Sequence, residues 1–104
     1  MLIQEIRKNP VVATAAIAAT MESAPTRAYI LRCLDLFFNG DYGETPPQDI
    51  EANNIELQAG TGRIVARYKA AEDLKKDIFI IAHFSEQEQG NDYNYTTIMY
   101  TDEY

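Results

Sequence analysis

The chain is poor in two residues that covalent and metal chemistry often use, with one cysteine and one histidine among 104 residues, and it has no tryptophan. A single cysteine, Cys33, allows no intrachain disulfide, which excludes a disulfide scaffold and favours a reducing, cytoplasmic setting. One Cys and one His cannot supply a four-ligand zinc site, and the spaced carboxylates of a calcium-binding loop are absent. Glycine is scarce as well, with five in the chain. Gly60-Thr61-Gly62 follows a helical segment rather than a strand, the wrong order for a dinucleotide fingerprint. No cofactor and no metal are expected. Long apolar runs are also missing. Val11 to Thr20 is dominated by alanine, lies behind Glu5 and Pro10, and falls well short of the roughly 18 residues a span requires. Neither a membrane helix nor a secretory leader is expected.

What is present suits one globular domain over residues 1–104. The chain is 46% hydrophobic and 24% charged, and chains of this length do not ordinarily divide. The net charge of −7 is unevenly spread. Residues 1–36 carry +1, residues 37–60 carry −5 with no base, residues 61–84 carry +2, and residues 85–104 carry −5 with no base. Two wholly acidic blocks repel a phosphate backbone, so direct nucleic-acid binding is disfavoured and a basic-surfaced protein is the easier partner.

Local patterns predict an α+β fold. Val11 to Thr14 reads as a short strand behind Pro10, and the alanine-rich stretch to Met21 as a helix. Ser23-Ala24-Pro25 marks a boundary before an amphipathic helix over 26–38. Ile30, Leu34 and Phe38 form its apolar stripe there, widened by Leu31 and Phe37. Asn39-Gly40 ends it. Thr45-Pro46-Pro47-Gln48 has capping-box spacing, with Thr45 as N-cap, Gln48 reaching back and Pro46 at the first helical position. That helix is expected to run to about Ala59, turning Ile50, Asn53 or Asn54, and Leu57 to the core, before Gly60 and Gly62 stop it.

The remainder reads as β. Arg63 to Lys69 alternates, with Ile64, Ala66 and Tyr68 on one face and mostly cations on the other. Ala70 to Lys76 is a charged turn. Asp77 to Phe84 is apolar on both faces, as a central strand should be. Ser85 to Asn94 reads as a mobile acidic loop, and Tyr95 to Tyr100 as the last strand. Short connections between consecutive strands favour an antiparallel meander. The architecture expected is therefore a short N-terminal strand, two to three helices, then a three-stranded antiparallel meander with helices packed on one face.

No constellation of catalytic residues stands out. A nucleophile–base pair would have to be Cys33 with His83. Cys33 sits beside an apolar helical stripe, where a small buried thiol is the ordinary reading. His83 lies on a central strand, where a packed imidazole is. Asp41, Glu44, Asp49 and Glu51 cluster, which leaves a paired-acid mechanism open on residue types, although a helix start with favourable dipole contacts explains them too. Tyr93, Tyr95, Tyr100 and Tyr104 suit half-buried strand positions, and tyrosine is also enriched at binding hot spots. The candidate binding residues are thus Asp41, Tyr42, Asp49, Tyr95, Tyr100 and Tyr104.

One ordered set of short motifs runs through residues 10–104: Val11-Val12-Ala13-Thr14, Gly40-Asp41-Tyr42-Gly43, Asp49, Asn53, Leu57 and Gly60, Arg63-Ile64 through Tyr68, Phe79-Ile80-Ile81, Thr96-Thr97-Ile98-Met99 and Glu103-Tyr104. It resembles a family of small bacterial proteins of plasmids and integrative elements, called plasmid-related or hypothetical proteins. Members carry Gly-Asp-Trp-Gly where this chain has Tyr42. After the central strand they tend to read Thr-Glu-Ala-Asp-Arg-Ser with a very short turn, where this chain has Ala82-His83-Phe84-Ser85-Glu86-Gln87 and a longer loop, so any role of that Asp-Arg pair does not carry over. The resemblance implies an accessory protein of a mobile genetic element and supplies no mechanism. Protein binding without catalysis is the leading expectation. An acidic DNA mimic or anti-defence inhibitor and a small enzyme using Asp41, Asp49 or His83 are the alternatives.

Overall fold

The computed structural model describes residues 1–88 and 93–104. A 3-10 turn (Ile3–Lys8) leads into β1 (Val11–Ala13), α1 (Ala15–Thr20), α2 (Ala24–Phe38), α3 (Pro47–Ala59), β2 (Thr61–Tyr68), β3 (Ile78–Ser85), β4 (Tyr95–Tyr100) and a second 3-10 turn (Thr101–Glu103). The α+β class matches expectation. Of the loop expected from Ser85 to Asn94, residues 89–92 lie outside the described residues.

The sheet corrects the expected three-stranded meander. β2, β3 and β4 do pair antiparallel in sequence order. Among the described residues, however, β1 adds a fourth strand, parallel to β4, in the order β1-β4-β3-β2. A meander alone would leave the outer edge of β4 as a row of unpaired backbone groups, and the short Val11–Ala13 segment covers it. Three helices separate β1 from the meander, which gives the chain length enough to return in the parallel sense.

Strict alternation divides the strands between two faces. Ile64, Ala66 and Tyr68 of β2, Ile78, Ile80, Ala82 and Phe84 of β3, and Ile98 of β4 are buried in one cluster with the helices. From α2 that cluster takes Ile30, Cys33, Phe37 and Phe38, and from the N-terminal turn Ile3 and Ile6. The α2 stripe differs in part from the expected one. Leu31 is 53% exposed, while Thr26, Ile30, Cys33 and Phe37, at i, i+4, i+7 and i+11, point inward. Cys33 is buried, as its place beside the stripe led one to expect, and Leu34 is partly buried against the same cluster, because the inward face follows the 3.6-residue period.

The start of α3 is also corrected. Pro46 is the N-cap and Pro47 opens the helix. Thr45 is not the cap: its hydroxyl donates to the Tyr42 carbonyl and accepts from the backbone N–H of Arg67 at 2.9 Å. Thr45 is occupied by the edge of β2, where Glu44 N–H also donates to the Arg67 carbonyl at 2.8 Å. At the other end Gly60 adopts the left-handed conformation, φ 74°, which closes the helix as expected.

Candidate partner-binding face

α3 lies beside β2 and finishes its free edge. In an antiparallel pair alternate residues turn their backbone groups outward, so β2 would present an open row. Asn53, 3% exposed, answers it: the side-chain amide donates to the Val65 carbonyl at 2.9 Å and its oxygen accepts the Val65 N–H at 3.0 Å. Asn54 faces solvent. Asn53 thus acts as a short piece of strand and fixes α3 against the sheet.

The second face of the sheet carries the odd-numbered residues of all three long strands. Three rows cross it in register: Arg63, His83 and Tyr95; Val65, Ile81 and Thr97; Arg67, Phe79 and Met99. The residues on this side are mostly half-buried, with Ile81 the fully buried centre. His83 stacks on Tyr95, ring centroids 4.9 Å apart and planes 30° apart. Burial, and secondarily the nearby charge of Arg63, holds its imidazole below the ordinary histidine range, so it is uncharged at neutral pH.

The turn after β4 brings Tyr104 back over this face. Glu103 holds the turn by accepting from the Tyr100 N–H at 2.8 Å and from the Thr14 hydroxyl at 2.9 Å. Asp102 pairs with Lys76. Tyr104, still 58% exposed, meets the Phe79 ring edge-on at 5.6 Å, and the Arg63 guanidinium lies 5.1 Å from its ring centre. Between this tyrosine and α3 runs a groove of about 320 Å³. Its helical wall is Asp49, Ala52, Asn53 and Glu56, spaced to share one face, and Arg63, Val65 and Phe79 form its floor.

The six residues singled out from sequence therefore do not form one site. Asp49 and Tyr104 line the groove, and Tyr95 shares its sheet face through the His83 row. Tyr100 lies on the opposite face, in register with Ile78, and packs against the core. Asp41 and Tyr42 belong to the turn after α2. The Asp41 carboxylate accepts the Gly43 N–H at 3.2 Å and its carbonyl accepts the Tyr68 hydroxyl at 2.8 Å. Tyr42 is 5% exposed and packs on Phe37. Both shape the fold. Sequence reasoning missed Glu56, Arg63 and Phe79 as groove residues. The signal for Glu56 was its seven-residue spacing from Asp49, and for Arg63 and Phe79 the parity of their strands.

The two nucleophile–base candidates are on opposite sides of the sheet: Cys33 in the helix-covered core, His83 on the second face. Burial pushes the Cys33 thiol up, away from the reactive thiolate. No group of three or more His, Cys, Asp or Glu side chains is placed to hold a metal among the described residues. No helix among them is long and apolar enough to cross a membrane. Comparison of the chain with protein-family models, curated proteins and solved structures gave no match.

Proposed function

We propose that this chain is a non-enzymatic protein-binding domain, an accessory protein of a bacterial mobile element, that presents the second sheet face to a basic-surfaced protein partner. One observation carries the reading: a mostly half-buried sheet face bearing Phe79, Met99 and the His83–Tyr95 stack, with the exposed Tyr104 ring set over it. Aromatic groups that are already rigid supply contact area at small entropic cost, which is why they dominate interface energetics. Charge fits the same reading. α3 turns Asp49 and Glu56 to the groove and carries no base, so the helical rim of the face is acidic.

An enzyme has less to draw on, since Asp41 is held in a turn and His83 is not among the described residues that line the Asp49 groove. A DNA mimic needs its carboxylates in one stripe. Here Glu86 bonds through its backbone to Gly60 at one end of the sheet, while Asp102 and Glu103 are engaged at the other.

The test is affinity capture from the native host with the wild-type chain and with a Tyr95→Ala/Met99→Ala double variant, both checked for folding by circular dichroism. A stoichiometric partner should be held by the wild type and lost by the variant. Repeated capture of nothing by a soluble wild-type protein, or equal retention by the variant, defeats the reading.

A further inference from the structure

The groove beside α3 pairs an aromatic wall with two unused carboxylates. Asp49 and Glu56 line it, and neither forms an ion pair among the described residues. Arg63 is the cation on its floor, yet its guanidinium is turned to the Tyr104 ring rather than to either acid. Glu56 is set close against the start of β2. A methyl group on Gly62, whose φ is 131°, would stand 2.0 Å from a Glu56 carboxylate oxygen, so the glycine makes the space that acid occupies. Between the acids lie Ala52 and Val65, with Phe79 and Tyr104 across from them.

This combination suits a long cationic side chain. Arginine and lysine lay an apolar stem on apolar or aromatic surface while the charged head seeks carboxylates. The existing Arg63–Tyr104 contact shows that the ring accepts a guanidinium in this place. Asp49 and Glu56 are seven residues apart, two helical turns, or about 10 Å along the helix. Alternate residues of an extended strand repeat at roughly 7 Å, so two cations of one strand can reach both acids.

We infer that the groove receives an extended segment of the protein partner in which lysine or arginine alternates with apolar residues, its cations meeting Asp49 and Glu56 and one stem covering Tyr104. This rests on the protein-binding reading above and assigns it a location and a ligand chemistry. Binding is charge-steered, and weakens as salt is added.

The experiment uses a fluorescein-labelled synthetic peptide alternating arginine and leucine, with a glutamate–leucine peptide as counterpart, followed by anisotropy at low and physiological salt. The arginine peptide should saturate the chain. Asp49→Asn/Glu56→Gln should weaken it by about tenfold or more, which corresponds to about 1.4 kcal/mol. Glu51→Gln/Glu72→Gln removes the same net charge outside the groove, and should weaken it less than threefold. All four positions are exposed or half-exposed, so folding is preserved. Equal effects of the two double variants would reduce the binding to bulk charge and overturn the inference. So would failure of the arginine peptide to bind, or preference for the glutamate peptide. The natural partner separates the two claims. If Tyr95→Ala/Met99→Ala loses it and Asp49→Asn/Glu56→Gln does not, the groove assignment fails while the face remains the binding surface.

Discussion

The two faces of the sheet are made from the same residues of β2, β3 and β4 taken alternately, yet they carry different work. On the covered face, Ile64, Ala66, Ile78, Ile80 and Ala82 meet α2 and the N-terminal turn in one buried cluster that also takes in Tyr68 and Phe84. On the other face, arginine, histidine, tyrosine and methionine replace them, and contact with solvent is kept. Apolar burial there is concentrated at Ile81. Period-two alternation lets one short strand build the core with one parity and hold polar and aromatic groups at the solvent with the other. It follows that substitutions should sort by parity more than by residue size.

The largest expected effect tests that directly. Ile80→Ala removes a fully buried side chain at the centre of the covered face and should cost about 3 to 4 kcal/mol in urea unfolding. Phe79→Ala, one residue away and larger in volume, faces the groove and should cost about half as much, because its site already meets water. Equal losses would mean that the second face is core, and the comparison would collapse.

The next effect concerns the edge that joins the faces. Asn53→Ala strips both hydrogen bonds from the Val65 backbone and leaves that N–H and C=O without partners at a half-buried position. A loss of about 2 to 3 kcal/mol is expected. Asn53→Asp keeps the acceptor and removes the donor, and should fall between wild type and alanine. Hydrogen exchange at Val65 reads the same event locally, with faster exchange in the alanine variant.

A smaller effect, of opposite sign, is expected from Thr96. Its hydroxyl is fully buried on the covered face and has no hydrogen-bond partner among the described residues. Thr96→Val has nearly the same shape and removes the unsatisfied group, so stability should rise by about 1 kcal/mol. A loss on denaturation would show that the hydroxyl finds a partner in solution.

Much of this contrast was legible in the sequence, and the parts that were not share a physical cause. The alternation in Arg63 to Lys69 identified Ile64, Ala66 and Tyr68 as the buried set, because a strand with one wet face must repeat every two residues. β4 was expected at Tyr95–Tyr100 and lies there. Asn39-Gly40 ended α2 as its local chemistry required. What failed was long-range. Val11–Ala13 could be read as a strand, but nothing local says that its partner is β4, more than 80 residues away. Thr45 has the local features of a helix cap, and it is diverted by the Arg67 N–H, 22 residues on. The groove needs α3, β2, β3 and Tyr104 together. Of those side chains only Asp49 and Tyr104 were binding candidates from sequence, each for a reason unrelated to the other.

The smallest expected effect is a pH dependence, and it separates the second face from the turn that begins β3. The folded chain holds His83 below its ordinary range through burial and Arg63, so the unfolded chain takes up a proton first as pH falls. Its contribution to stability is fully present above the unfolded value of about 6.5, and is lost as pH drops through the lower folded value. Asp77 is also held down, by the Ala70 N–H and then the Arg67 guanidinium. It contributes above the unfolded carboxylate value of about 3.9, and that stability disappears as pH falls further, through its folded value. Melting temperature should therefore decline in two separate steps. His83→Gln should flatten the step beginning near pH 6.5 and leave the acid step, while Asp77→Asn should do the reverse. If His83→Gln leaves the upper step intact, the imidazole titrates freely, and the Tyr95 stack does not shield it from solvent.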